Sequence, residues 1–304
     1  MVARAAFTGC ALVAFAAQAQ VEKVFNAPGF ADFLAVEGKA VWATNRGHIE
    51  RWTLKGKVAE VPMAKPCGAM AVVRHAIWVA DCQERTISRI DTRSGKITAT
   101  VATGIASTNG ELAVVAGAGS IWVASDAKGV VARVDPISNR VTASITVDPD
   151  TYYLAYAFGS IWAVSDSRQT IQRIDPRTNM VIKRTALGRQ SSFLAAGADA
   201  IWVVEQGDGS VARVDAVSGD VTGRVKVGES LKFSDIDTGG GKVWVRTKYE
   251  QLFVVIDPKS LAITARVGTV QGSGGLRYTP RGLWTTQHDR QTLSWWPDPA
   301  RIGK

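Results

Sequence analysis

Three kinds of residue in this 304-residue chain have the chemistry to hold or act on a ligand: a few histidines, a set of charges that break a repeating pattern, and a cysteine pair. His48 and His288 fall at corresponding ends of two hairpins, each near carboxylates. They are candidates for acid–base work at one shared site, or for ligating a divalent ion such as Mg²⁺ or Ca²⁺. His75 falls at the opposite turn and reads as a solvated loop residue. Asp235, Asp237, Arg246 and Arg277 stand at positions that are small or neutral elsewhere in the chain. Charges in such packed positions are costly unless paired, so they form either a self-satisfied ion cluster or part of a ligand site. Lys248, Tyr152 and Glu205 lie on the same expected mouth, with a cationic surplus that favours a polar or anionic ligand. No Ser-His-Asp order, Gly-rich phosphate loop or closely spaced metal motif is visible in the linear sequence.

Cys67 and Cys82 flank a hairpin that turns near Arg74-His75, which would set the two thiols opposite each other. That spacing predicts a disulfide, with a metal or redox pair as the competing reading. Arg89, Arg133, Arg173 and Arg213 each precede an Asp by two residues, at Asp91, Asp135, Asp175 and Asp215. Their recurrence makes them scaffold, and they read as outer-strand ion pairs.

The elements that position these residues follow from the tryptophans. An aliphatic residue precedes Trp42, Trp78, Trp122, Trp162, Trp202, Trp244 and Trp284, at intervals of about 40 residues. Each copy reads as four short strands, a to d, separated by Gly-rich and Asp-Pro turns. Seven such copies predict an all-β, seven-bladed β-propeller. Seven residues before the Trp the copies read Ala35, Ala71, Val115, Ala155 and Ala195, then Asp237 and Arg277, which is how the charged set stands out. Blade 7 lacks a strand d before Pro297 and Pro299. The segment Val21 to Phe25 is predicted to supply it and close the ring.

Blocks such as Ile121-Trp-Val-Ala-Ser and Val131-Ala-Arg-Val-Asp-Pro resemble the YVTN-type repeats of exported bacterial propellers. They are similar, more distantly, to the blades of streptogramin B (virginiamycin B) lyase-like proteins. The resemblance implies the propeller fold over nearly the whole mature chain, and it brings no catalytic residue with it. For function it implies a ligand-binding propeller or a lyase-like enzyme.

Residues 1–19 carry a short basic start, an apolar stretch and a small-x-small cleavage site, the pattern of a secretory signal peptide. Residues 20–304 are then one propeller domain, periplasmic or secreted, with no transmembrane segment. The net charge of +9 is scattered without a basic run, which argues against nucleic acid as a partner. The leading expectation is a monomeric propeller that binds a small molecule or protein at its mouth. The alternatives are a lyase or lactone-opening hydrolase using His48 or His288, and a purely structural envelope protein.

Overall fold

β-branched and aromatic residues on both faces of short segments favour strands sandwiched between neighbouring sheets. The computed structural model describes residues 22–302 and shows this arrangement seven times. Seven four-stranded antiparallel sheets form the blades of a ring. Blade 1, for example, runs through Leu34–Glu37, Ala40–Asn45, His48–Thr53 and Gly56–Pro62. The signal peptide expected at 1–19 lies outside the described residues.

The repeated tryptophan anchors each blade. All seven are essentially inaccessible to solvent. Four of them donate the indole N–H to the carbonyl that ends strand a: Trp122 to Gly117, Trp162 to Ala157, Trp202 to Gly197 and Trp244 to Gly239. A large ring thus fills the space between blades while its one polar atom stays satisfied.

Ring closure follows the expected route. The N-terminal strand Lys23–Asn26 pairs antiparallel with Thr292–Pro297, the third strand of blade 7. Phe25 then sits about 6 Å from both Trp52 of blade 1 and Trp284 of blade 7, fastening the seam where the chain's two ends meet.

The Arg-Asp recurrence has a different meaning from the one expected. Asp135 ends its strand and caps the following turn, accepting from the Ile137 N–H and the Ser138 hydroxyl. Arg133 instead lies over the Trp122 ring at 4.9 Å and donates to Ser120 and to the Pro176 carbonyl of the next blade. Arg173 repeats this with Trp162, Ser160 and the Val217 carbonyl. Asp135 still pairs with Arg140 at the end of the ladder, but its carboxylate is taken up by the turn that follows. Arg133 and Arg173 therefore clamp adjacent blades rather than forming ion pairs, whereas Arg213 donates to Thr222 on its own blade.

Cys67 and Cys82 form a disulfide, with Cα atoms 6.0 Å apart. The register that joins them differs from the simple hairpin count. Ala71 faces Trp78 as expected, but a bulge then shifts Cys67 opposite Ala80. Gly68 makes the bulge: it has φ +73°, and a Cβ there would come within 2.3 Å of the Leu112 carbonyl. The chain leans onto blade 3, where Ala69 N–H donates to that same carbonyl. Reduction of this disulfide should cost about 3 kcal/mol for a loop of this length. Urea melts with and without reductant check it, and coincident midpoints would contradict it.

Candidate functional site

Inner strands crowd at the axis of a propeller, so the ring's mouth is built from the loops that enter strand a and leave strand b. Here those loops enclose a cavity of about 270 Å³. Phe30, Phe33, Phe193 and Phe233 supply its apolar walls, from blades 1, 5 and 6. Phe30 and Phe233 remain over a third exposed, so their rings face the opening. The polar lining consists of Asp32, Glu111, Asp235, Lys248, Ser273, His288 and Asp289, together with the loop at Asn109-Gly110.

The charges that break the repeat lie beneath this cavity. Asp235 faces Arg246 across the strand pair Asp235–Gly239 and Lys242–Arg246, as the hairpin count predicts. Its ion-pair partner, however, is on the next blade: Arg277 donates to Asp235 Oδ2 at 2.5 Å, and the Leu276 N–H donates to the same oxygen at 2.9 Å. Asp237 accepts from the N–H groups of Thr238 and Tyr278, and burial raises its pKa above the ordinary carboxylate value. Burial would lower the Arg277 pKa, but Asp235 and Asp237 outweigh it and hold the guanidinium above its usual value.

Arg246 has no exposed surface. It donates to the carbonyls of Thr247, Leu252 and Thr286, and its Nε has no hydrogen-bond partner. Burial lowers its pKa to about 10, against the raising effect of Asp235.

These placements correct the expected cationic surplus. Arg246 is sealed beneath the wall and Arg277 is committed to Asp235. The cavity itself presents four carboxylates against Lys248 and His288. The Lys248 ammonium sits 4.5 Å above the Phe233 ring, a cation–π contact on the rim.

Asp32 is the carboxyl most changed by this environment. Burial first, then the charges of Asp235 and Glu111, push its pKa up to about 7. That rise exists only in the folded chain, so the folded protein binds more protons between about pH 4 and pH 7. Stability from this group is therefore lost as pH rises through that window. Asp32→Asn should gain on the order of 2 kcal/mol at pH 8 and little at pH 4.5. Equal urea midpoints for variant and parent at both pH values would show an ordinary ionised group.

The other expected site residues are dispersed. His288 lines the mouth, stacked on Phe30 with ring centroids 4.0 Å apart. His48 belongs to a separate cluster on the outer strands of blade 1, where Nε2 lies 3.1 Å from Glu50 and 3.8 Å from Glu60. The two histidines do not share a site. The ligand atoms of His48, Glu50 and Glu60 lie within 4.8 Å of one another. Lys57 Nζ already bonds both carboxylates, at 3.1 and 2.7 Å, and Trp52 donates to Glu50. A resident ammonium fills the cation's role, so this donor set does not fit Mg²⁺ or Ca²⁺.

Glu205 is fully buried and satisfied, accepting from Gly188 N–H, Ser210 and Arg224. It braces blade 5 and does not line the mouth cavity. Tyr152 donates to Asp150 at 2.7 Å, and burial, then that bond, raises its pKa to about 12. Its neighbour Tyr153 is the one that supports the cavity, donating to Glu111 at 3.0 Å and meeting Phe193 edge-on. Phe30, Phe33, Phe193, Glu111, Ser273 and Asp289 also line the cavity, and the repeat pattern marks none of them as site residues. For Ser273 a signal was present: the long Gly-rich run Gly268 to Gly275 matches no other copy of the repeat.

Fold and site together define a seven-bladed propeller with a partly aromatic cavity at one mouth of its channel. No protein-family model and no curated protein sequence matches the chain. Among solved structures it is similar to streptogramin B lyase, with TM-score 0.76 at 13% identity over 90% of this chain and 96% of that one. It is also similar to BamB from Moraxella catarrhalis, with TM-score 0.66 at 15% identity over 88% and 84% of the two chains. A chain of a mitotic checkpoint complex gives TM-score 0.78 at 12% identity over 98% and 99%. At these identities the likeness establishes the fold alone.

Proposed function

We propose that this is an exported propeller that binds a small, ring-bearing organic molecule of low net charge at the mouth cavity. The observation that carries the reading is the set of four phenylalanines, converging from three blades on one cavity. An apolar wall around a few placed polar groups is the usual build of a small-molecule site. Asp32, held near its own protonation point, and Lys248 supply the polar contacts. Export is supported by the leader pattern at residues 1–19 and by the buried Cys67–Cys82 disulfide, which is consistent with an oxidising compartment. Among the described residues no helix is long and apolar enough to cross a membrane.

An enzymatic reading, a lyase or hydrolase, is favoured by one observation: His288 lies in the cavity with burial holding its pKa below the ordinary imidazole value. It is neutral at physiological pH and free to accept a proton.

Calorimetry with acetophenone, benzoate and benzylamine tests the binding reading. Acetophenone is expected to bind best, and Phe233→Ala to weaken it roughly tenfold, the scale of one lost aromatic contact. Lys248→Ala should change the ranking among the three probes. Indifference of both variants, each with the parent's melting temperature, would refute the reading.

A further inference from the structure

The loop before blade 7 places a serine hydroxyl against the mouth histidine. Ser273 Oγ lies 2.6 Å from His288 Nε2, and the serine is 5% exposed. On the other side of the imidazole, Nδ1 lies 2.9 Å from Asp289 Oδ1. These two atoms are close but misaligned, and Nδ1 makes no hydrogen bond, so the contact is electrostatic. Serine, histidine and aspartate all line the same cavity.

We infer that Ser273, His288 and Asp289 form a nucleophilic triad that cleaves small esters or lactones held in the mouth cavity. The inference rests on the mouth being the functional site, and adds to it a reaction and a substrate class.

Three features argue that this arrangement is built. The first is backbone cross-linking: His288 N–H donates to the Ser273 carbonyl, and Ser273 N–H donates to Asp289 Oδ2, each at 3.3 Å. The second is the flanking glycines. A Cβ on Gly272 would lie 2.1 Å from Asp289 Oδ2, and one on Gly274 would lie 2.0 Å from the Thr286 carbonyl. Gly272 also has φ +77°, a conformation that residues with side chains seldom adopt. Only glycine on both sides lets the loop press Ser273 onto His288. The third is the Phe30 ring, stacked on the imidazole at an interplanar angle of 22°, which restricts its rotation.

The chemistry is that of acyl transfer. Ser273 Oγ attacks the ester carbonyl carbon as its proton passes to His288 Nε2, and the carbonyl electron pair moves onto oxygen. Lys248, which lines the same cavity, supplies positive charge to that oxyanion. Collapse breaks the bond to the leaving oxygen, which takes the proton back from His288 and departs as an alcohol. Water then attacks the acyl-serine, giving its proton to His288, and the acid is released as the serine is reprotonated. His288 is neutral at the start of each half-reaction, since burial lowers its pKa. Asp289 acts as a positioning residue, and its charge works to raise the His288 pKa. The phenylalanine walls select an aryl or short alkyl ester.

Diisopropyl fluorophosphate on the full mature chain tests this, with the adduct mapped by peptide mass. One adduct on Ser273 is expected. It should vanish in Ser273→Ala and form roughly 100-fold more slowly in His288→Gln, the usual loss with a general base. The labelling rate should fall as pH drops below the ordinary imidazole range. In Asp289→Asn that fall should move to lower pH, a shift that a purely structural aspartate would not produce. Hydrolysis of p-nitrophenyl acetate should follow the same order across the variants. No adduct at Ser273, or equal labelling of Ser273→Ala, would overturn the triad. If acetophenone still binds while Ser273 stays unlabelled, the triad fails and the binding site stands. If neither probe engages the mouth, both fail.

Discussion

Deleting residues 22–26 should abolish the single cooperative unfolding transition and leave an aggregation-prone protein. The strand Lys23–Asn26 is the outermost strand of blade 7, facing Trp295, Ser294, Leu293 and Thr292 in register. Without it the Thr292–Pro297 edge loses its partner, and an open apolar edge is a template for pairing between chains. Phe25 would also leave the seam between Trp52 and Trp284, opening the contact that joins the last blade to the first. Every other blade is made from consecutive chain, so only this one depends on a strand separated from it by the whole ring. Calorimetry checks the expectation. A deletion variant that melts like the parent would show that closure does not hold the ring.

Replacing Asp235 by Ala should cost about 3–5 kcal/mol, the range for removing one partner of a buried ion pair. Asp235 is only 4% exposed and accepts from Arg277, the Leu276 N–H and the Ile236 N–H. Its loss leaves Arg277 without its carboxylate and takes from fully buried Arg246 the anion that most supports its charge. The double variant Asp235→Ala, Arg277→Met should recover part of the loss, because no uncompensated charge remains at Arg277. Urea denaturation of the parent and the two variants gives the numbers. A single-variant cost under about 1 kcal/mol would mean that the cluster is well hydrated rather than buried.

The repeat, the blade count and the ring closure could be read from the chain because each depends on a local pattern: a Trp after an aliphatic residue, a turn at fixed offset, a missing strand at one end and a spare one at the other. The departures at Asp235, Asp237, Arg246 and Arg277 were legible for the same reason, being breaks in a register that other blades keep. What such departures face was not legible. Asp235 meets Arg246 within its hairpin, yet its shortest bond crosses to Arg277 on the next blade. Glu205 ends strand b of blade 5 and so looked like a mouth residue. Folding turns it onto Ser210 and Arg224 instead. The phenylalanines of the cavity come from loops in blades 1 and 6 and from the first strand of blade 5, so no periodicity links them. Ser273 sits in an irregular Gly-rich loop, and its partners His288 and Asp289 come from the next turn of the same blade. No linear motif announces that juxtaposition.

We propose that the mouth cavity is where this protein meets its ligand. The most direct measurement follows the phenylalanine ring resonances of the protein during titration with acetophenone. Phe30, Phe33, Phe193 and Phe233 line the cavity, whereas Phe25 and Phe253 pack in the seam and in the core shared by blades 6 and 7. The predicted result is saturable shifts at the four cavity rings, with Phe25 and Phe253 unmoved. Shifts confined to Phe25 or Phe253, or no saturable shift at the four rings, would contradict the claim.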